Sequence, residues 1–146
     1  MSLEQEVELV RNVPILSELA PAAQKMICFA SERVSFEPGQ VIFRQGDHAE
    51  AAYVLVDGTV EISLAIEGAQ KPINHLGRNA ILGEAGILGD LPRSATATAT
   101  TRVDTLRVSK ELFRKLIHGN PDAALRLTCL LAQRLADTTG RLCAAG

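Results

Sequence analysis

The chain has 146 residues, a net charge of −2 and a hydrophobic fraction of 47%. These values suit one globular domain, and the 3% of aromatic residues means that aliphatic side chains build its core. No basic run is present, which argues against a chain that holds DNA by itself. The sequence shows neither an apolar run of membrane-spanning length nor a signal-peptide pattern. Its three cysteines, Cys28, Cys129 and Cys143, are far apart and in no metal-binding spacing, so we expect a cytoplasmic protein without membrane contact.

The first thirty residues predict two helices. Ser2 and Gln5 are placed as a capping box for a short amphipathic helix that ends near Val10. Pro21 suits the first turn of a second helix, which ends near Ser31. We treat residues 1–11 as an N-terminal segment, part of which could be a cloning remnant, and residues 12–146 as one domain.

From Arg33 onward the apolar residues follow a period of two, which indicates strands. Strands are predicted at residues 33–36, 41–43, 52–56, 59–66, 71–76, in the Ala/Thr run after Ser94, and at 103–108. Short strands at regular spacing with glycine turns predict an α+β, mainly β fold. We expect a β-roll or jelly-roll barrel of the double-stranded β-helix type, with N-terminal helices and a long C-terminal helix.

Two helices are predicted at the C-terminal end. Ser109 suits the N-cap of a helix over 110–118, and Asn120-Pro121-Asp122 suits the start of a helix over about 121–142. Along the second helix, one seam recurs at steps of three and four residues: Ala124, Leu127, Leu131, Arg134, Thr138 and Arg141. This seam is compatible with a helix packed on its own barrel, and equally with a dimer seam whose polar end meets a ligand.

The stretch over residues 81–98 reads I-L-G-E-A-G-I-L-G-D-L-P-R-S-A-T-A-T and predicts an anion site. Gly83 opens a short helix, whose first backbone N–H groups favour an anion, and Pro92 ends that helix. Arg93 follows at a spacing that lets it fold back, and its guanidinium matches phosphate oxygens. Glu84 suits a ligand with a hydroxyl beside the phosphate, because an ionised carboxylate only accepts hydrogen bonds. A ribose fused to a phosphate fits all three features.

The same stretch, with its G-E-A-G-I turn and R-S-A, resembles the phosphate-binding cassette of the cyclic nucleotide-binding domain family. F-E-P-G-Q-V-I-F-R-Q-G-D and Y-V-L-V-D-G-T-V-E-I are also similar to that family. The segment A-Q-R-L-A-D-T-T-G-R-L resembles the central helix of its catabolite activator and FNR-like sensor branch. The resemblance covers about residues 12–142.

This resemblance implies a regulatory domain that binds cAMP, with cGMP as the alternative ligand, and that is neither an enzyme nor dependent on a metal. Arg93 and Ser94 would hold the cyclic phosphate with the N–H groups of Gly83 and Ala85, and Glu84 would accept from the ribose 2′-hydroxyl. The other implied ligand-binding residues are Ile62, Ile73 and Leu76 along the base and sugar, Arg134 and Thr138 near the purine, and Thr139 acting across a homodimer formed through the C-terminal helix.

Two other functions stay open: the same fold sensing another small anion, haem or a redox signal, and a cyclic nucleotide phosphodiesterase. The lack of a cysteine cluster and the presence of Glu84 and Arg93 argue against the first. Isolated histidines without metal-binding spacing argue against the second. The helix-turn-helix of the sensor branch does not follow in this sequence. We therefore expect either an excised sensor domain or a protein without its own DNA reader, and no nucleic acid bound by this chain itself.

Overall fold

The computed structural model describes residues 2–145, apart from the side chains of Ala85, Thr138, Thr139 and residues 141–145. Its strands form two four-stranded antiparallel sheets. The strands are β1 (Glu32–Phe36), β2 (Val41–Phe43), β3 (Ala51–Asp57), β4 (Val60–Ile66), β5 (Ala69–Leu76), β6 (Ile81–Leu82), β7 (Thr96–Ala99) and β8 (Val103–Ser109).

The order of strands defines a jelly roll. One sheet has the order β1-β8-β3-β6 and the other has the order β2-β7-β4-β5. The first strand therefore pairs with the eighth, the second with the seventh, the third with the sixth and the fourth with the fifth, as in a long hairpin rolled on itself. The predicted mainly β jelly-roll fold is confirmed. The described strands form two open sheets and not a closed barrel.

The helices lie before, within and after these strands. They are α1 (Leu3–Arg11), a 3₁₀ turn (Leu16–Glu18), α2 (Pro21–Ala30), α3 (Glu84–Gly89), α4 (Lys110–His118) and α5 (Pro121–Ala145). The predicted capping box of Ser2 and Gln5 is present at α1. Leu9 and Val10 of α1 are buried in the core, so α1 packs against the domain. The division at residues 11 and 12 stays a prediction.

The core has two layers, one on each face of the sheet that contains β3. Ala52 and Val54 belong to the layer shared with the helices, whereas Leu55 belongs to the layer between the two sheets. Because successive side chains of a strand point to opposite faces, a strand with both faces covered is apolar throughout. Burial of each Val or Leu side chain contributes about 1.5–3 kcal/mol, so β3 anchors the fold. No helix in the described part of the chain is long and apolar enough to cross a membrane.

The predicted seam of α5 faces its own domain. Leu127 is 2% exposed, and Ala124 and Leu131 pack against the core cluster shared with the helices. The side chains of Thr138 and Arg141 lie outside the described residues. For the apolar part of the seam, the helix packed on its own barrel is therefore the correct alternative. Periodicity reveals an apolar stripe on a helix but not what covers it.

Candidate functional site

The turn before α3 requires glycine for two reasons. Gly83 has φ 80°, a left-handed conformation that glycine adopts without steric cost. A Cβ atom at this position would lie 2.2 Å from Nη1 of Arg93. Arg93 therefore packs directly on the glycine backbone, as its predicted folding back toward this turn requires.

Arg93 is a buried cation whose edges are only partly hydrogen-bonded. It is 6% exposed, and it donates from Nη1 to the carbonyl of Gly83 over 2.8 Å and from Nη2 to the carbonyl of Ala51 over 2.6 Å. Its Nε has no hydrogen-bond partner among the described residues. Burial lowers the pKa of Arg93, although a guanidinium stays charged in proteins. The buried guanidinium of Arg93 is thus stabilised by carbonyl dipoles, and binding of an anion beside it is favourable.

One face of the Arg93 guanidinium is covered by an aromatic ring. The guanidinium carbon lies 4.2 Å from the ring centroid of Phe43 on β2. Sequence reasoning treated Phe43 only as an apolar strand residue, and it did not consider the carbonyl of Ala51. The signal that could have singled out Phe43 is the scarcity of aromatic residues in this chain.

Glu84, the first residue of α3, is a buried carboxylate with one free oxygen. It is 1% exposed, and its Oε1 accepts from Nη1 of Arg134 on α5. Its Oε2 has no partner within the described part of the chain. Arg134 also donates from Nη2 to the carbonyl of Ile81 over 3.0 Å. Burial raises the pKa of Glu84, and the nearby charges of Arg134 and Arg93 oppose that rise without cancelling it.

A second arginine ties α3 to α4. Nε and Nη2 of Arg114 both donate to the carbonyl of Ile87, over 3.0 and 2.7 Å. Lys110 of α4 pairs with Asp90 at the end of α3 over 3.1 Å, and this hydrogen bond lowers the pKa of Asp90. The short helix that carries Glu84 is therefore fixed to both C-terminal helices, by Arg114 and by Arg134.

Four of the predicted site residues come together: Gly83, Glu84, Arg93 and Arg134. Ser94, next to Arg93, is exposed. Ile62 and Leu76 are half-buried against the core layer between the sheets, and Ile73 is half-buried on β5. The side chains of Ala85, Thr138 and Thr139 lie outside the described part of the structure. The roles of all these residues toward a ligand stay predictions.

The histidines stand apart from this cluster. His48 lies 3.2 Å from Glu50 and His75 lies 3.5 Å from Glu61, and both imidazoles are exposed. In the portion of the chain that the structure describes, no group of three or more His, Cys, Asp or Glu side chains could hold a metal ion. The site thus holds a buried cation, Arg93, and a buried anion, Glu84, each with a polar atom unpaired among the described residues, and a second cation, Arg134, that is paired with the anion.

Comparison with known proteins finds kinase regulatory subunits, lysophospholipases and a transcriptional regulator among the relatives. A cAMP-dependent protein kinase regulatory subunit of Emericella nidulans is 32% identical over 108 residues, which are 74% of this chain and 26% of that protein. The sensor domain of the transcriptional regulator DNR from Pseudomonas aeruginosa has a TM-score of 0.80 at 28% identity and covers 91% of this chain and 90% of that one. The chain thus spans about a quarter of that kinase subunit.

A second structure supports the fold alone. The regulatory domain of Toxoplasma gondii PKA, crystallised with cAMP, has a TM-score of 0.78 at 23% identity and covers 85% of this chain and 46% of that one. The family profile described as "Cyclic nucleotide-binding domain" matches residues 33–120, which is more than half of the sequence. That match includes both Glu84 and Arg93, and it confirms the resemblance on which the sequence interpretation was built. The chain belongs to the cyclic nucleotide-binding domain family.

Proposed function

We propose that this chain is a regulatory domain that binds cAMP through Arg93 and Glu84. One observation carries the proposal: a buried guanidinium and a buried carboxylate lie near enough to influence each other electrostatically, and each keeps one polar atom without a partner among the described residues. Buried polar groups are ordinarily hydrogen-bonded, so these two atoms favour a ligand that completes both of them.

A cyclic nucleotide has the complementary groups in adjacent positions. Its cyclic phosphate carries one negative charge, and Nε of Arg93 can donate a hydrogen bond to one of the phosphate oxygens. The Ser94 hydroxyl and the N–H groups of Gly83 and Ala85 would donate to the same phosphate. Its ribose 2′-hydroxyl can donate to Oε2 of Glu84, while Oε1 stays paired with Arg134. Ile62, Ile73 and Leu76 would line the base and sugar.

The ligand preference and the regulatory role rest on the relatives. The kinase relative is named a cAMP-dependent regulatory subunit, and the sensor domain belongs to a transcriptional regulator. These names support cAMP over cGMP and binding without hydrolysis. Cys28 and Cys129 are both free thiols, which supports a reducing compartment such as the cytoplasm.

Arg134 gives α5 a direct share in the site. From α5, Arg134 pairs with the carboxylate of Glu84 and donates to the carbonyl of Ile81. A hydrogen bond from the ribose 2′-hydroxyl to Oε2 would redistribute the charge of the Glu84 carboxylate, which is also paired with Arg134 of α5. Ligand binding would thereby favour one arrangement of α5 over another, which is what transmission of occupancy requires.

We further propose a homodimer through α5, along a different seam from the predicted one. Four small or apolar residues on the exposed side of α5 recur at steps of four, three and four residues: Leu125, Cys129, Ala132 and Ala136. Leu125 is 66% exposed. This spacing is typical of the seam between two coiled helices, and it lies opposite the face that packs on the domain.

The ligand is tested by calorimetric titration of the chain with cAMP, cGMP and AMP in parallel. We expect saturable binding of cAMP, weaker binding of cGMP and no binding of AMP, because AMP lacks the cyclic diester. Chromatography of the recovered nucleotide should return intact cAMP. Accumulation of AMP would establish a phosphodiesterase instead, and the absence of heat with all three nucleotides would refute the proposed ligand class.

A further inference from the structure

Aromatic side chains are scarce in this chain, yet three of them form a line that ends at Arg93. The chain has four phenylalanines, one tyrosine and no tryptophan. Phe36 and Tyr53 meet edge to face with ring centroids 6.1 Å apart, and Tyr53 and Phe43 lie 6.2 Å apart. Phe43 then meets the guanidinium of Arg93. Three of the five aromatic residues of the chain therefore lie in one row, in a protein whose core is otherwise mostly aliphatic.

The position of the Phe43 ring determines what it can do for Arg93. Carbonyl acceptors hold Nη1 and Nη2 at the edge of the guanidinium, and the ring covers a face of it. The negative face of an aromatic ring attracts a cation, and this attraction grows when the pair is desolvated, as it is for a side chain that is 6% exposed. Together with the carbonyls that hold Nη1 and Nη2, the ring restricts how the guanidinium, and with it the unpaired Nε, can turn.

Among the described residues, the carbonyls of Gly83 and Ala51 fix the Nη edge of the guanidinium, and Phe43 is the aromatic ring that lies against it. No carboxylate forms an ion pair with Arg93 there, so the guanidinium lacks the anionic partner that usually orients it. Phe43 is itself fixed, because β2 places it opposite Ala97 of β7. Tyr53 of β3 supports the ring from the other sheet.

We propose that Phe43 is a positioning residue for ligand binding, holding the guanidinium of Arg93 in the plane that receives an anionic phosphodiester. This inference rests on the proposed function. It assigns no contact between Phe43 and the ligand, since the ring acts through Arg93.

The test is a double-mutant cycle measured by calorimetric titration with cAMP. Phe43→Leu should lower the affinity by about five- to thirtyfold, the range that a desolvated cation–π contact supports. In an Arg93→Gln background, titrated at millimolar cAMP, the same change should cost almost nothing, because no guanidinium remains to be positioned. Equal losses in the two backgrounds would overturn the proposal.

Two further variants separate positioning from stability. Phe36→Leu makes the same substitution at the far end of the aromatic line and should leave the affinity within about twofold of the wild type. Phe43→Tyr keeps an aromatic face and should retain the wild-type affinity, even if Phe43→Leu fails to fold. A loss with Phe36→Leu or Phe43→Tyr as large as that expected for Phe43→Leu would overturn the inference. A wild-type chain that binds no cyclic nucleotide would refute the proposed function itself.

Discussion

Gly83 and Arg93 depend on each other, because the guanidinium of Arg93 packs against the backbone of Gly83. A methyl group added at Gly83 would come nearest to Nη1 of Arg93 and not to another part of the fold. The same guanidinium group donates to the carbonyl of Gly83. The glycine thus provides both an unusual backbone angle and the space that the arginine occupies.

Gly83→Ala should therefore lower cAMP affinity more than about tenfold, the value of a hydrogen bond to a charged group, because the guanidinium is displaced. Gly68→Ala is the matched control, since Gly68 has φ 81° in the β4–β5 turn but no atom within 4 Å of its added Cβ. Both variants should lose about 1–2 kcal/mol of unfolding free energy from backbone strain. Calorimetry and chemical denaturation measure the two effects separately, and equal affinity losses would contradict this account.

The ionisation of Glu84 makes both the stability of the chain and its affinity for the ligand depend on pH. Because burial raises its pKa, the folded chain holds the proton more tightly than the unfolded chain. Its contribution to the free energy of unfolding is therefore greatest below the usual pKa of a glutamate and is lost as the pH rises through the raised pKa. Ligand binding has the opposite dependence, because the ionised carboxylate is the better acceptor for a hydroxyl.

We expect cAMP affinity to fall as the pH is lowered from neutrality through the raised pKa of Glu84. Affinity for 2′-deoxy-cAMP, which has no hydroxyl to donate, should be about tenfold lower than for cAMP at neutral pH and should depend less on pH. In Glu84→Gln the two ligands should bind more nearly alike. Parallel pH profiles for the two ligands in the wild type would show that Glu84 does not meet the ribose.

The spacing of Glu84 and Arg93 predicted that both lie at one turn, but not which residues surround them. Glu84 and Arg93 are close in sequence, so their spacing and the turn between them sufficed. The partners of Arg93 are distant in sequence: Ala51 is 42 residues away and offers only a backbone carbonyl, which every residue has. Phe43 follows the alternation of any buried strand, so its pattern indicates core packing and not contact with a guanidinium.

At the scale of the elements, α5 has two apolar sides, and the sequence alone did not distinguish their roles. The predicted seam packs on the domain through Leu127, while the exposed side carries Leu125. The two-residue strand β6 was not predicted either, because a run of that length has no period to detect. The longer strands and the helix starts at Ser2 and Pro21 were predictable from periodicity and capping residues.

The contact between α5 and α3 can be tested by hydrogen exchange. In the wild type, cAMP should change the exchange of backbone amides in α5 around Arg134, because Glu84 holds both the ligand and that side chain. Arg134→Gln should abolish this response and should lower the unfolding free energy by about 1–3 kcal/mol, since it removes the partner of a buried carboxylate. Arg126→Gln changes an exposed arginine of the same helix and should leave the response intact. A response that persists in Arg134→Gln would contradict transmission through this pair.

At the scale of the whole molecule, the jelly roll buries one side of α5 and leaves a stripe of small and apolar residues exposed on the other. An exposed apolar stripe on a helix that already has a covered face indicates an interaction surface. The proposed homodimer places a second copy of the same helix on this stripe, because Leu125, Cys129, Ala132 and Ala136 recur at the spacing typical of two coiled helices.

Sedimentation should show a dimer in the wild type. Ala132→Glu should shift the equilibrium to monomer by placing a charge in the seam, whereas Gln133→Glu adds the same charge beside it and should leave the dimer. A monomeric wild type, or equal dissociation of both variants, would contradict the α5 seam.

The central claim is that the buried guanidinium of Arg93 receives a cyclic phosphate. Calorimetric titration with cAMP of the wild type, Arg93→Gln and Arg102→Gln tests it most directly, because Arg102 is an exposed arginine outside the site. We expect an affinity loss of about a hundredfold or more in Arg93→Gln alone, with an unchanged far-UV spectrum. Wild-type affinity in Arg93→Gln would contradict it.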